Sequence, residues 1–168
     1  MHITQGRMRI AETTDLATVE RLARTIWREY YPRILAPEQI EYMLDRMYAQ
    51  AALAADQKRG VHFALIGDAG FLACETTGAV CKLHKLYLLD RARGKGVGQA
   101  AIAYVDAYAQ KTGATSVQLN VNKHNIQAQK SYARAGYTRL REEVIDIGGG
   151  YVMDDFVYEK RLTPSPAT

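Results

Sequence analysis

The sequence predicts one α/β domain of the mixed α+β kind, and three observations predict it. The hydrophobic period switches repeatedly between about 3.6 and 2 residues. The segments so defined read β-α-α-β-β-β-α-β-α-β-β, without internal repeat or inter-domain linker. The 168 residues are 48% apolar and 24% charged, enough to bury one real core.

Residues 7–11 form a short first strand. Thr14 and Asp15 offer caps for a helix to Tyr30, where Leu16, Val19, Leu22, Ala23, Ile26 and Trp27 recur at helical spacing. Pro37 suits the first turn of a second helix, which carries Ile40, Met43, Leu44, Met47 and Leu53 and ends before Gly60. The period then changes. Residues 61–66 and 70–75 read as strands parted by Gly67-Asp68, and a Thr77-Gly78 turn leads into a long strand over 79–88. These three are expected to form an antiparallel meander. A basic, glycine-rich loop over 91–98 follows. Val97, Ala101, Val105 and Tyr108 share one face of a helix that stops at Gly113. Residues 116–121 are a strand. Asn125 caps a helix to Ala135, which Gly136 terminates. Strands over 137–147 and 151–162 are joined by three glycines, and 163–168 is expected to be a disordered tail.

The formal net charge is +4, from 22 basic and 18 acidic residues. Lys82, Lys85, Arg91, Arg93 and Lys95 stand within fourteen residues that contain one acid, Asp90; the other 17 basic and 17 acidic residues balance. Nucleic-acid binders spread basic charge along a face or tail, so no nucleic acid is expected. One focus of charge suits a small polyanion instead. No apolar run is long enough for a membrane span, the N-terminus lacks a signal-peptide core, and two cysteines make no disulfide framework. A cytoplasmic protein with no membrane partner is the expectation.

The loop Arg93-Gly94-Lys95-Gly96-Val97-Gly98 lies between a strand and a helix, which is the layout of an anion site. Glycines permit close backbone approach, and the first-turn N–H groups point at the anion. A Walker A loop would end in glycine-lysine-hydroxyl, and this one does not. Gly96-x-Gly98-x-x-Ala101 fits a dinucleotide fingerprint, which needs an acid about twenty residues on. No Asp or Glu occurs between Asp106 and Glu142, so that reading fails. Arg93-x-x-Gly96-x-Gly98 matches the pattern [QR]-x-x-G-x-[GA]. Some thirty residues later, Asn125-x-x-Ala128-x-x-x-Tyr132-x-x-x-Gly136-Tyr137 matches N-x-x-A-x-x-x-Y-x-x-x-G-[FY]. In these two motifs the chain resembles the GNAT N-acetyltransferase superfamily. Gln129 and Lys130 depart from the more apolar residues usual at those positions. Lys82-Leu-His-Lys-Leu-Tyr87, Val121-Asn-Lys123 and the segment from Asp146 to Asp155 resemble the PaiA-like bacterial branch, which acetylates polyamines and other small amines.

The resemblance implies a GNAT-like domain over 1–162, with a central mixed, mostly antiparallel twisted sheet of about seven strands flanked by about four helices. It implies acetyl-CoA as co-substrate, no metal, and a small-molecule amine acceptor. Members often dimerise, so a homodimer is open. By residue, it implies that the pantetheine arm pairs with Leu86, Tyr87 and Leu88 as an added strand. The backbone N–H of Leu88 becomes the oxyanion donor. The pyrophosphate rests on Arg93, Gly94, Lys95, Gly96, Val97, Gly98 and Gln99. Asn120, Asn125 and Tyr132 contact the cofactor, and Tyr132 protonates the departing thiolate.

Chemistry adds a further need. An alkylamine with a pKa near ~10.4 must lose a proton before it attacks. His84 on the central strand and Glu75 on its neighbour are the candidate bases, and the choice stays open. Trp27, Glu29, Tyr30 and Tyr31 lie where the family builds its acceptor pocket; an aromatic wall with a carboxylate suits a cationic amine. From Tyr137 onward there are four basic and six acidic residues; Asp146, Asp154 and Asp155 flank the glycine turn and are placed to face an amine, with Asp154 the carboxylate assigned to it. Cys74 and Cys81 read as cross-strand neighbours and small buried apolar groups, since three ligands with His84 fall short of a zinc set. A protein N-terminal or lysine acetyltransferase, and a non-catalytic acyl-CoA sensor, are the competing functions.

Overall fold

The computed structural model describes residues 2–5 and 8–164, with side chains from Met8 onward. Arg7, expected to open the first strand, and 165–168 of the tail lie outside them. The elements in chain order are β1 (His2–Gln5), β2 (Met8–Glu12), α1 (Leu16–Tyr30), α2 (Pro37–Tyr48), α3 (Gln50–Arg59), β3 (His62–Ile66), β4 (Gly70–Thr77), β5 (Val80–Leu88), α4 (Val97–Lys111), β6 (Ser116–Asn122), α5 (Ile126–Arg134), β7 (Thr138–Gly148) and β8 (Tyr151–Arg161). Short 3-10 turns sit at Tyr31–Arg33 and Asp90–Ala92. Backbone hydrogen bonds order the strands β1-β2-β3-β4-β5-β6-β8-β7. The β5–β6 pair is parallel, and β1–β2, β2–β3, β6–β8 and β7–β8 are antiparallel.

This is the mixed sheet the sequence implied, with two corrections. Among the described residues the sheet has eight strands, because β1 pairs with β2 from His2 opposite Ala11 to Gln5 opposite Met8. Among the described residues there are five α-helices, because the one expected after Pro37 breaks at Ala49, whose ψ of 149° is extended. Nothing in Tyr48-Ala49-Gln50 stops a helix locally. A distant contact does: the Gln50 amide donates to the Leu16 carbonyl at 3.1 Å and to Glu20 at 2.7 Å, tying the start of α3 to α1.

The chain divides into two compact units, 1–73 with 85–101 and 74–84 with 102–168. In the first, α1 is capped by Asp15, whose carboxylate accepts from Thr18 N–H, and it buries Val19, Leu22, Ala23, Ile26 and Trp27. The core here is aromatic. Trp27 packs against Tyr31, Tyr48 and Tyr87 with ring centres 4.4, 5.7 and 5.6 Å apart, and Phe71 meets Tyr48 and Tyr87. In the second unit, Tyr104, Val105, Ala109, Val117, Leu119 and Val157 are fully buried. Gly136, at a left-handed φ of 97°, ends α5, with the Tyr137 N–H reaching back to the Tyr132 carbonyl. No helix among the described residues is long and apolar enough to cross a membrane.

Candidate active site

The first unit carries the end of β5 and the glycine loop. The β5–β6 ladder pairs Val80–Leu83 with Ser116–Leu119 and stops, although β5 runs on to Leu88. Leu86, Tyr87 and Leu88 therefore present a strand edge with no β6 partner. Their other side is held tightly. Leu89 N–H donates to the Ala69 carbonyl at 2.8 Å, and a Cβ on Gly70 would stand 2.3 Å from the Tyr87 carbonyl oxygen.

Beyond the 3-10 turn, Gly94 and Gly96 take φ of 73° and 80°, values that favour glycine. They bend the chain into α4, where Ala100 N–H donates to the Gly96 carbonyl. The N–H groups of Val97 and Gly98 stand in the first turn, which has no intrahelical acceptor for them. Four of the five basic residues around the loop are already engaged. Lys82 donates to Asn120. Lys85 lies 3.7 Å from Asp56, and Arg91 is 3.1 Å from Asp68. Arg93 folds back, donating from Nε (3.3 Å) and Nη2 (3.1 Å) to the Leu88 carbonyl. Its guanidinium also lies 4.2 Å from the Tyr30 ring centre. Lys95 is exposed and makes no ion pair among the described residues.

Of the expected acceptor residues, Trp27, Tyr30 and Tyr31 are buried and Glu29 is exposed, its carboxylate accepting from Asp90 N–H at 3.4 Å. The Trp27 indole N–H is buried without a hydrogen-bond partner. Lys85 carries no charge to the loop surface: it is 7% exposed and lies over the Tyr48 ring, and burial lowers its pKa. Only alternation along β5 could have hinted at this, since Lys85 follows buried Cys81 and Leu83 at two-residue steps.

In the second unit, the Asn125 side chain caps α5 by accepting from Ala128 N–H at 3.2 Å. Gln129 has a task of its own, donating to the Asn122 and Lys123 carbonyls at 3.1 and 2.9 Å and so fixing the loop before α5. Tyr132 packs edge-on against Tyr137 at 5.6 Å. Burial pushes its phenol above the ordinary tyrosine range, and no group among the described residues hydrogen-bonds its hydroxyl. The two candidate bases are partners: His84 Nε2 lies 2.9 Å from Glu75 Oε1. The Cys74 and Cys81 thiols are buried and unbridged; a hydrogen bond between them and burial raise Cys74 well above the ordinary thiol range.

Adjacent carboxylates on β8 differ sharply. Asp154 is ion-paired with Lys123 at 2.9 Å. Asp155 is 3% exposed, accepts from the Asn120 amide at 3.3 Å, and is raised in pKa chiefly by burial. Asn120 in turn accepts from Lys82, so its side chain is engaged at both ends.

The sequence between residues 16 and 137 matches the acetyltransferase (GNAT) family. The chain belongs to that family. An uncharacterized N-acetyltransferase of Mycobacterium tuberculosis is 32% identical over 157 residues, covering 89% of this chain and 99% of that protein. A D-amino-acid N-acetyltransferase of Saccharomyces cerevisiae is 25% identical over 67% of this chain and 74% of its own length. In fold, the chain is similar to the PaiA N-acetyltransferase of Thermoplasma acidophilum, crystallised with coenzyme A: TM-score 0.72, 23% identity, 92% of this chain and 98% of that one. The GNAT match takes in the open end of β5, the glycine loop and α5 as far as Tyr137. Asp154 and Asp155 lie beyond it, where family membership assigns nothing. Among the described residues of this GNAT enzyme, no group of three or more His, Cys, Asp or Glu could hold a metal ion.

Proposed function

We propose that this N-acetyltransferase moves the acetyl group of acetyl-CoA to the primary amine of a small molecule. The observation that carries the donor half is that β5 runs past the end of its β6 ladder at Leu83 into a loop with two left-handed glycines and an exposed Lys95. A pantetheine amide chain is chemically a strand, and an open edge accepts one. The pyrophosphate then meets the N–H groups of Val97, Gly98 and Gln99, the positive end of α4, and Lys95. Arg93 acts from behind, holding the Leu88 peptide in place.

In the reaction the neutral amine nitrogen attacks the thioester carbonyl carbon. A C–N bond forms and the carbonyl π electrons move to oxygen, where the Leu88 N–H stabilises the developing charge. The amine's surplus proton passes to His84, which Glu75 orients, and water can serve as the carrier. Collapse re-forms the carbonyl and breaks the C–S bond. The thiolate takes the Tyr132 proton, and the phenolate is re-protonated from solvent. Asn125 positions the thiol end of the cofactor while capping α5.

A small-molecule acceptor is supported by the acidic excess after Tyr137. The yeast relative adds amino acids to the acceptors worth testing. A thiol-release assay with acetyl-CoA against alkylamines, polyamines, amino acids, aminoglycosides and peptides tests the reading. Release with small amines supports it; release with peptides only makes the enzyme a protein acetyltransferase; tight cofactor binding with no release makes it a sensor.

A further inference from the structure

The Asp155 carboxylate is buried on β8 and keeps one oxygen without a hydrogen-bond partner. Successive residues of a strand face opposite ways, so Asp154 and Asp155 project to opposite faces of β8. Asp154 has its cation in Lys123. Asp155 Oδ2 accepts from Asn120 Nδ2, while Oδ1 is buried with no hydrogen-bond partner. Lys82 is the nearest cation and its charge acts on Asp155, but its ammonium donates to the carbonyl oxygen of the Asn120 amide and no hydrogen bond joins it to the carboxylate. The Asn120 side chain thus accepts from the lysine at one end and donates to the carboxylate at the other. On β7, Glu143 stands opposite Asp155 and carries Arg141 at 3.5 Å, so that guanidinium too is engaged elsewhere.

A buried acceptor atom left unpaired is costly, the more so when it is charged. A chain that keeps one carboxylate oxygen unpaired while ordering the rest of the cluster favours a ligand that brings an N–H donor with positive charge. We propose that Asp155, held by Asn120 and with Lys82 as a competing cation, is the subsite that receives the acceptor in its alkylammonium form. This rests on the acetyl-transfer reading above and sharpens it by naming where the amine enters. An alkylamine in water is almost wholly ammonium at neutral pH, so capture in that form precedes loss of the proton. His84 follows Lys82 by two residues on β5 and shares its face, which puts the proton acceptor on the side of the sheet that carries the subsite. Of the two adjacent carboxylates on β8, one is ion-paired with Lys123 and the next keeps an oxygen available.

The test reads binding without chemistry. Butylamine is titrated into the full-length protein in the absence of acetyl-CoA, and the Asn120 side-chain amide resonance is followed by NMR. Butylammonium shifts that resonance, butanol does not, and Asp155→Asn weakens the dissociation constant at least tenfold while acetyl-CoA affinity stays within twofold. No shift, an equal shift with butanol, or an unchanged constant in Asp155→Asn overturns the proposal. If Asp155→Asn does not fold, Lys82→Met serves instead: removing the competing cation tightens butylamine binding at least threefold, and unchanged or weaker binding overturns the proposal. Butylamine that binds through Asp155 but yields no thiol release with acetyl-CoA keeps the subsite and sinks the acetyl-transfer reading, so the two fail separately.

Discussion

The guanidinium of Arg93 lies 4.2 Å from the centre of the Tyr30 ring, and from that seat two of its nitrogens donate to the carbonyl of Leu88. A residue read from the sequence as part of a phosphate cradle is, in the folded chain, the clamp between the glycine loop and the strand that ends at Leu88. A planar fork stacked on an aromatic ring is a task a lysine cannot copy.

Replacing Arg93 therefore tests position as well as charge. A charge-assisted hydrogen bond contributes about 1.5–3 kcal/mol, so Arg93→Lys is expected to raise KM for acetyl-CoA about tenfold and to lower kcat as well. A residue that only attracted phosphate would leave kcat unchanged on exchange for lysine. Steady-state kinetics at saturating amine separates the two.

Tyr132→Phe removes the proposed acid and nothing else. The expected loss in kcat is ~10²-fold or more, with the calorimetric affinity for acetyl-CoA unchanged. Burial raises the Tyr132 phenol, so the group stays protonated, and able to donate, past the ordinary tyrosine pKa of about 10. No fall in kcat below pH 10 is attributable to it. An alkaline limb below pH 10 that vanishes in Tyr132→Phe contradicts the assignment.

Gly70 is expected to tolerate no side chain. A methyl group there meets the Tyr87 carbonyl at 2.3 Å and the Leu88 side chain at 2.7 Å, and a backbone carbonyl in a strand cannot swing aside. Overpacking of this kind costs about 1–3 kcal/mol. Gly70→Ala should lower Tm by roughly 3–10 °C. It should also displace the Leu88 N–H and depress kcat in the folded fraction; a thermal melt beside the kinetic assay checks both.

Lys85 is a cost rather than a support. Burial lowers its pKa below 10.5, with Asp56 opposing at 3.7 Å, and Asp56 keeps Arg59 at 3.1 Å in any case. A lysine whose folded pKa is depressed binds its proton less well in the native state. Stability then rises with pH between the folded pKa and 10.5, where the unfolded chain holds more protons. Lys85→Met should therefore raise Tm at pH 7, by an amount that shrinks as pH approaches 10. Chemical denaturation at pH 7 and pH 9.5 measures the difference; a variant less stable than the parent at both contradicts the account.

Much of this was legible before any coordinates. The glycine loop, the Asn125 cap and the Gly136 terminator are local devices, and local signals place them to within a residue. What escaped depends on distant partners. The break at Ala49 comes from Gln50 reaching α1, and β1 exists because β2 offers an edge. Lys85 and Arg93 were counted with the loop's charge, since composition cannot tell a lysine packed on Tyr48 from one in water. Asp154 was assigned to the amine and Asp155 only grouped with it. Strand parity separates the two, but the face that buries its carboxylate follows from Asn120 and Lys82 on other strands.

The most direct measurement follows the acetyl group itself. Acetyl-CoA labelled with ¹³C in the acetyl carbonyl is incubated with the enzyme and a small primary amine, and the products are read by NMR and mass spectrometry. The label is expected in an N-acetyl amide, in step with free thiol. Label found only in acetate, or still on coenzyme A after prolonged incubation with every amine in the panel, contradicts that expectation.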